Sequence, residues 1–528
     1  MTYKLLVLEG ITERGLELLK AERWQIDQSK ALAPAELAKI IAPYDALMLR
    51  SGTKITDEVL AAATKLRIIG RPGVGVDNVD LDAATRRGVV VMNSPGGNIV
   101  STAELTLALL LAVARPIAAA DAAMKAEKWD RKSFGGVELH GKRIGVVGLG
   151  RIGREVTARC QSLGMEVVGY DPFVAAAVAE KLRVKLVSLD ELLAGCDFVT
   201  LHTTLSKETK HLLGKEAFSK VKPGIRIVNA ARGELIDEAA LLLALESGRV
   251  AGAALDVHAK EPPVDWRLAK HPRVVAVPHI GAQTAEAQER VGTDIAEQVR
   301  DYLKGGVIQQ AVNFFSLSGD LYDQVKPAMD LAERLGLFLA QVVRGSHERI
   351  EVGLYGELRE LDVKPILQAA VAGILRPGSD KGVTVVNSVS VAKERGIEVL
   401  QSTSSAPVAF SNLIAVRLKT SDDDLSVAGT LFGRDHLRLV DIDGVDVDAI
   451  PAGHLLYVKN EDTPGIVGHI GTLLGTEQVN IARMAVGRKP GSGRAVMLIE
   501  VDGEVAEKTL EALRKIAGVR EARSISLG

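Results

Sequence analysis

Residues 143–171 read RIGVVGLGRIGREVTARCQSLGMEVVGYD, and this stretch constrains the fold more than any other. The apolar run Ile144–Val147 predicts a buried strand. A glycine turn follows, then a helical segment over Arg154–Leu163, a second strand over Glu166–Gly169, and an acid, Asp171. That is the order a dinucleotide site requires. Gly148 lets the chain turn out of the strand. Gly150, without a Cβ, lets a pyrophosphate reach the backbone. Gly153 lets the helix pack close to the strand. The helix N-terminus offers free N–H groups and positive dipole to the anion. Asp171 lies 18 residues past Gly153, where a carboxylate meets ribose hydroxyls and repels a 2′-phosphate. The expected cofactor is therefore NAD rather than NADP.

The remaining residues before and after this unit repeat the alternation of strand and helix, which implies parallel sheets. Strands are predicted at Lys4–Leu8, Ala46–Leu49, Arg67–Gly70 and Val89–Met92, with a helix at Thr12–Ala21. Arg50 and Arg71 follow the carboxyl ends of two of these strands, where ligands of such sheets bind. Two arginines there suit an anionic substrate. Ser101 and Glu104 fit a capping box opening one long, nearly all-apolar helix to about Lys125, kinked at Pro116 and buried between domains. Trp129-Asp130-Arg131 then lies in a polar loop. Further strands over Asp197–Leu201, Ile225–Val228, Gly252–Val257 and Val274–Val277 each end on a polar group. An amphipathic helix over Gln283–Leu303 precedes a change of character near Asn313. The end of the chain, from His454, reads βαββαβ, a ferredoxin-like order.

Composition narrows the class. The 528 residues carry 65 Lys+Arg against 67 Asp+Glu, net −2. No basic stripe appears, so nucleic acid is not an expected partner, and the longest apolar stretch, Leu105–Ala114, is too short to span a bilayer, so neither is a membrane. Cys160 and Cys196 form no metal or disulfide pattern, no metal is expected, and the reading is cytoplasmic.

Hydride removal from a hydroxyacid requires that the hydroxyl proton leave too, and a histidine is the natural base near neutral pH. His279 follows a strand end. Glu261 is placed to raise its pKa and steady the imidazolium. Arg232 is placed to clamp a carboxylate and polarise the C2 oxygen.

These residues stand in VNAARGELID, ALDVHAKEPP and VPHIGAQT, and with GLGRIG and Asp171 they resemble the signature of the D-isomer-specific 2-hydroxyacid dehydrogenases. RSGTKIT and GRPGVGVDNVDLDAATRRGVVVMNSP are similar, more narrowly, to the phosphoglycerate-oxidising members. The resemblance covers the whole chain. It implies an α/β fold of two doubly wound (Rossmann-like) domains: residues 1–95 with 283–314 binding substrate, and 96–282 binding NAD. An α+β intervening domain over 315–452 and a ferredoxin-like ACT domain over 453–528 complete it. The implied activity is NAD-dependent oxidation of 3-phospho-D-glycerate to 3-phosphohydroxypyruvate, with His279 as acid/base, Glu261 its partner and Arg232 the carboxylate binder. Arg50, Ser51, Arg71, Gly73 and Asn78 would line the substrate side, with Arg131 reaching the phosphate in its own or a neighbouring subunit. Arg151 and Ile152 would touch the pyrophosphate, and Thr203, Ala230, Ala231, Asp256 and Gly281 would line the NAD cleft. Val74 replaces a Thr of some relatives and Ala230 a Cys.

The same resemblance implies L-serine as an effector, held between paired ACT domains by Asn460, Asp462 and Asn480, and a homo-oligomer, with a tetramer as the guess. Lys381, Arg434 and Arg438 are candidate anion ligands in the intervening domain. Two alternatives compete: a glyoxylate or hydroxypyruvate reductase of the same family, and a non-enzymatic NAD-sensing binding protein.

Overall fold

Short apolar strands, several of them followed directly by Gly148, Asp171 or Asp256, stack into two parallel sheets whose central strands are buried. The computed structural model describes residues 2–314, 319–360, 363–377, 383–404, 410–433, 435–489 and 491–528. Lys381 and Arg434 lie outside the described residues.

The first sheet has five parallel strands in the order Gln25–Ser29, Lys4–Leu8, Ala46–Met48, Ile68–Arg71, Val90–Asn93. Its edge strand Gln25–Ser29 is too polar to carry an apolar signal, and sequence reasoning passes over it. The second sheet has seven parallel strands. Their order is Val274–Ala276, Val250–Leu255, Ile225–Asn229, Phe198–Leu201, Arg143–Val147, Glu166–Tyr170, Lys185–Leu186. Strand order reverses between Arg143–Val147 and Phe198–Leu201, so the glycine turn 148–150 sits at the topological switch point, where a crevice opens.

Two helices tie these sheets together. Ile99–Ala114 packs on the second sheet, and Ala285–Gly305 returns to pack on the first. The second sheet is thereby inserted into the first unit. The expected single helix to Lys125 is corrected: Pro116 breaks it into Ile99–Ala114 and Ile117–Lys125, bent by 68°. A proline at that point removes one N–H and clashes with the preceding turn. The expected capping box is corrected too. The helix starts at Ile99 after Asn98, and Ser101 Oγ donates to Asn98 O at 3.1 Å. Burial of the whole stretch also fails, since Ile117 and Met124 are exposed and no residue of Ile117–Lys125 is buried.

Beyond these units lies a six-stranded sheet in the order Glu398–Ser404, His347–Gly356, Asn412–Thr420, Asp424–Phe432, His436–Ile442, Val445–Ala449. Gly319–Val342 and Val363–Leu375 are its main helices. Arg438 belongs to this sheet and is taken up locally, its Nε 3.4 Å from Asp448 Oδ1.

The final four-stranded sheet runs Ile481–Lys489, Arg494–Val501, His454–Glu461, Val519–Ser526, antiparallel throughout, with Ile466–Thr476 and Glu507–Arg514 on one face. The ferredoxin-like reading describes it. Its other face is not left to water. Leu455, Tyr457, Val496 and Leu498 join one core with Phe338 and Leu339 of the Gly319–Val342 helix. Phe338 and Tyr457 meet edge to face, with ring centroids 5.8 Å apart.

Because the two sheets share this core, Phe338→Ala is expected to cost about 3–5 kcal/mol. Hydrogen exchange would show protection falling together in the six-stranded and four-stranded sheets. Loss confined to the six-stranded sheet would refute a shared core.

Candidate active site

The glycine turn is stereochemically obligatory. Gly148 has φ +94°, and a Cβ there would come within 2.7–2.9 Å of the His202 and Thr203 backbone. Gly153 could not carry one either, because it would press into Gly148 O. Gly150 differs: a Cβ there would meet nothing within 4 Å. That open surface lies at the N-terminus of the helix Arg151–Ser162, where an anion fits. Asp171 Oδ2 accepts from Leu149 N at 2.8 Å and Oδ1 from Phe173 N at 2.9 Å. The carboxylate thus braces the turn while keeping lone pairs for ribose hydroxyls. These residues fit a dinucleotide. Arg151 is exposed at the helix start, whereas Ile152 packs partly against the core and Ala230 is buried in it.

Across the crevice stands the His279 turn. His279 Nδ1 and Glu261 Oε2 are 2.6 Å apart. An ionised carboxylate only accepts, so Nδ1 carries the proton and Nε2 is the nitrogen left to exchange one. The hydrogen bond with Glu261 raises the His279 pKa, and burial opposes it. Burial pushes Glu261 up, but the bonds from His279 and from the His258 amide outweigh it and hold its carboxyl below the usual value. The His258 N–H to Glu261 Oε1 bond, 3.1 Å, fixes the carboxylate's orientation.

His279 has φ +54°, a left-handed conformation that a non-glycine residue keeps only when its surroundings over-determine it. Asp256 supplies that restraint. It is 1% exposed, and its carboxylate accepts from Ile280 N at 2.6 Å and Gly281 N at 3.0 Å, while its carbonyl accepts from His279 N at 2.8 Å. Burial raises the Asp256 pKa. The sequence places Asp256 in the cofactor cleft; its side chain braces the His279 turn. Thr102 Oγ1 adds a bond to Gly281 O at 3.3 Å.

Three arginines converge from two domains. Arg71 is half-buried, and burial followed by the Arg232 charge lowers its pKa, with Arg50 contributing in the same sense. The Nε atoms of Arg50 and Arg71 are buried without a hydrogen-bond partner, a donor surplus that suits an anion. Gly73, at φ +136°, lies against Arg71 Nη1. Asn78 does not offer its amide nitrogen to a ligand: Nδ2 donates to Arg50 O at 2.8 Å and Thr53 O at 2.7 Å, locking the loop that carries Ser51. Arg131 does not join this group; it is exposed, two residues from Trp129, itself 79% exposed.

Two residues were missed. Gln288 on the Ala285–Gly305 helix accepts from Arg50 and donates to Ala282 O at 2.7 Å, linking the substrate-side arginine to the His279 turn. Glu9, at φ +64°, accepts from Gly52 N at 3.1 Å and Thr53 Oγ1 at 2.9 Å. Only the positive charge of the neighbouring motif residues could have hinted at Glu9; nothing in the helical pattern distinguishes Gln288.

A second cavity, about 370 Å³, lies in the C-terminal domain between the loop 460–465 and Arg488. Asn460 and Asp462 line it. Asn460 is 1% exposed, its Nδ2 bonds Glu461 O at 2.7 Å, and its Oδ1 is unpartnered. Asp462 faces Arg488 at 3.4 Å. Asn480 is at the opposite end of the sheet, bonded to Asp502 at 3.0 Å. Within one chain the three do not meet.

Comparison with known proteins matches three family models in order: the NAD binding domain of D-isomer specific 2-hydroxyacid dehydrogenases over residues 107–281, the D-3-phosphoglycerate dehydrogenase intervening domain over 324–443, and the ACT domain over 454–518. A D-3-phosphoglycerate dehydrogenase of Synechocystis sp. is 41% identical over 99% of this chain and 95% of its own length. The protein of that name from Archaeoglobus fulgidus is 42% identical over 99% and 100%. A D-lactate dehydrogenase from Aquifex aeolicus, solved with NAD and lactic acid, superposes with TM-score 0.53 at 26% identity, covering 57% of this chain and 96% of its own.

The turn predicts a contrast. Gly150→Ala should melt within a degree or two of wild type yet bind NADH at least tenfold more weakly, because its methyl fills only the pyrophosphate's space. Gly153→Ala should lose about 1–3 kcal/mol of stability as well, since its methyl meets backbone. Thermal melts with NADH fluorescence titration separate the two; equal melting would sink the argument.

Proposed function

The chain belongs to the D-3-phosphoglycerate dehydrogenase family of D-isomer specific 2-hydroxyacid dehydrogenases, and from that membership we propose how its cleft carries out the reaction. The chain is an NAD-dependent enzyme that oxidises 3-phospho-D-glycerate to 3-phosphohydroxypyruvate, the entry into phosphorylated serine synthesis. The observation that carries the residue assignment is the His279–Glu261 pair facing a convergent set of arginines. Bound NAD supplies the acceptor for the C2 hydrogen and its electron pair. Gly150 and Arg151, at the helix N-terminus that Gly148 and Gly153 shape, would hold its pyrophosphate and Asp171 its adenosine ribose.

Arg232 clamps the substrate carboxylate and polarises the C2 oxygen. Arg50 and Arg71, with the Ser51–Gly52 loop, take the phosphate end. His279 Nε2 accepts the C2 hydroxyl proton as the carbonyl forms, and Glu261 stabilises the imidazolium that results. In the reverse direction the same nitrogen returns the proton. We divide the chain into residues 1–95 with 283–314 for substrate, 96–282 for NAD, 315–452 and 453–528 for regulation. Turnover of 3-phospho-D-glycerate followed at 340 nm tests the assignment, with glyoxylate and hydroxypyruvate as competing substrates. His279→Ala should abolish it.

L-serine is our proposed effector. A zwitterion needs an oxygen for its amine and donors for its carboxylate, and the 370 Å³ cavity is lined by Asn460, whose Oδ1 has no partner, by Asp462 and by Arg488. Asn480 completes such a site only from a second copy, which favours a homo-oligomer, a tetramer being our choice. The buried thiols of Cys160 and Cys196 accord with a reducing cytoplasm.

Two outcomes follow. Oxidation needs neutral His279, whose pKa lies above the ordinary histidine value, so kcat/KM for oxidation should climb with pH through that raised pKa, and reduction should decline over the same window. Glu261→Gln removes the main cause of the elevation. It should move the oxidation limb to lower pH and cut kcat about 10- to 100-fold. A pH profile unchanged by the substitution would exclude the pair. Separately, L-serine should lower turnover or raise the melting temperature of wild type, and Asn460→Ala should lose the response. A wild type indifferent to L-serine in both assays would remove the effector.

A further inference from the structure

The head of Arg232 is already engaged. Its Nε donates to Asp77 Oδ2 at 3.2 Å, and Nη1 donates to Ala231 O at 2.7 Å. Asp77 belongs to the loop after Ile68–Arg71 of the first sheet, and Arg232 to the loop after Ile225–Asn229 of the second. The pair therefore spans the cleft between the two sheets. Gly75 makes room for it: a Cβ at 75 would lie 2.8 Å from Asp77 Oδ2 and closer still to Arg232 Nη2. Asp77 also sets its charge against Arg71, while Arg50 and Arg232 add theirs. A carboxylate thus sits on the guanidinium to which a substrate carboxylate is assigned. The Arg232 and Asp77 side chains are 30% and 69% exposed, so water competes for both and the bond is readily exchanged.

We propose that Asp77 is a positioning residue that takes the place of the substrate carboxylate on Arg232 and yields it when substrate arrives. This rests on Arg232 being the carboxylate clamp. The pair keeps the guanidinium pointed across the cleft and links the two domains. The incoming carboxylate, which can present both oxygens to the guanidinium fork, replaces the single Asp77 bond. Self-occupancy lowers apparent affinity by the fraction of time the clamp is free. If Asp77 holds Arg232 for most of that time, removing it tightens binding about three- to tenfold.

The test is a double-mutant cycle on the full-length enzyme. Asp77→Asn should lower KM for 3-phospho-D-glycerate three- to tenfold with kcat within twofold and an unchanged melting temperature. Oxalate, a small dicarboxylate, is the binding probe, read by its effect on the fluorescence of enzyme-bound NADH, so that inactive variants also report. Its affinity should rise by the same factor in Asp77→Asn. In the Arg232→Gln background the Asp77 substitution should change nothing, because the effect passes through that arginine. An unchanged or raised KM overturns the proposal. So does a gain that persists without Arg232, which would mark a general field of one removed charge. Asp77→Ser repeats the comparison should the asparagine variant fold poorly. If Arg232→Gln itself leaves oxalate affinity intact, the clamp assignment fails rather than the exchange alone.

Discussion

Asp256 holds the geometry around His279 in place. Its buried carboxylate accepts from two successive amides, Ile280 and Gly281, so the chain turns at His279 with φ +54°. An unrestrained histidine would leave that region of backbone space at a gain of order 1 kcal/mol or more. Only in that turn does Nδ1 reach Glu261 while Nε2 stays available. The geometry is layered: Asp256 fixes the backbone, the backbone fixes the ring, and Glu261 fixes the proton on the ring. The His258 amide in turn fixes Glu261. Each layer is made by residues of one short loop cluster at the carboxyl ends of neighbouring strands, which explains why a seven-stranded sheet can present the chemistry with little help from elsewhere.

Much of this was legible in the sequence, and for definable reasons. The glycine turn is dictated by backbone sterics, so its three glycines could be given separate jobs, and the structure gives Gly148, Gly150 and Gly153 three different surroundings. Strand ends are also legible, because an apolar run stops where a polar residue begins, and Arg50, Arg71, Arg232 and His279 could all be placed that way. What a strand end does not encode is the partner of the side chain. Asp256 stood at a strand end like the others, yet its oxygens turn back to the chain. Asn78 similarly spends its amide on two carbonyls. Gln288 lies on an amphipathic helix whose pattern reports burial only. Its bond to Arg50 spans 238 residues of sequence, and no local signal carries it. The helix start failed for a related reason: Ser101 and Glu104 satisfy a local pattern, but the helix begins two residues before Ser101, at Ile99, and the Ser101 hydroxyl turns back to Asn98 O.

The C-terminal half follows a different logic. Its six-stranded and four-stranded sheets share an apolar core, through Leu455, Tyr457, Val496 and Leu498 on one side and Phe338 and Leu339 on the other, while the four-stranded sheet keeps a second core under its own helices. Gln341 reinforces the joint, its Nε2 donating to Ser526 O and its Oε1 accepting from Ser526 N, both at 3.0 Å. The alternation of apolar residues along these strands does not say whether the second face meets water or another domain.

That shared core alters what a hinge could be. Where two domains are joined by a linker, either can rotate while the other stays still. Here, turning the four-stranded sheet relative to the helix Gly319–Val342 would pull Tyr457 off Phe338 and expose both rings to solvent. The sheet and helix therefore move as one lever. The far end of that lever is the phenol of Tyr322, bonded to Gly306 O at 3.0 Å, the residue that caps the C-terminus of the helix Ala285–Gly305.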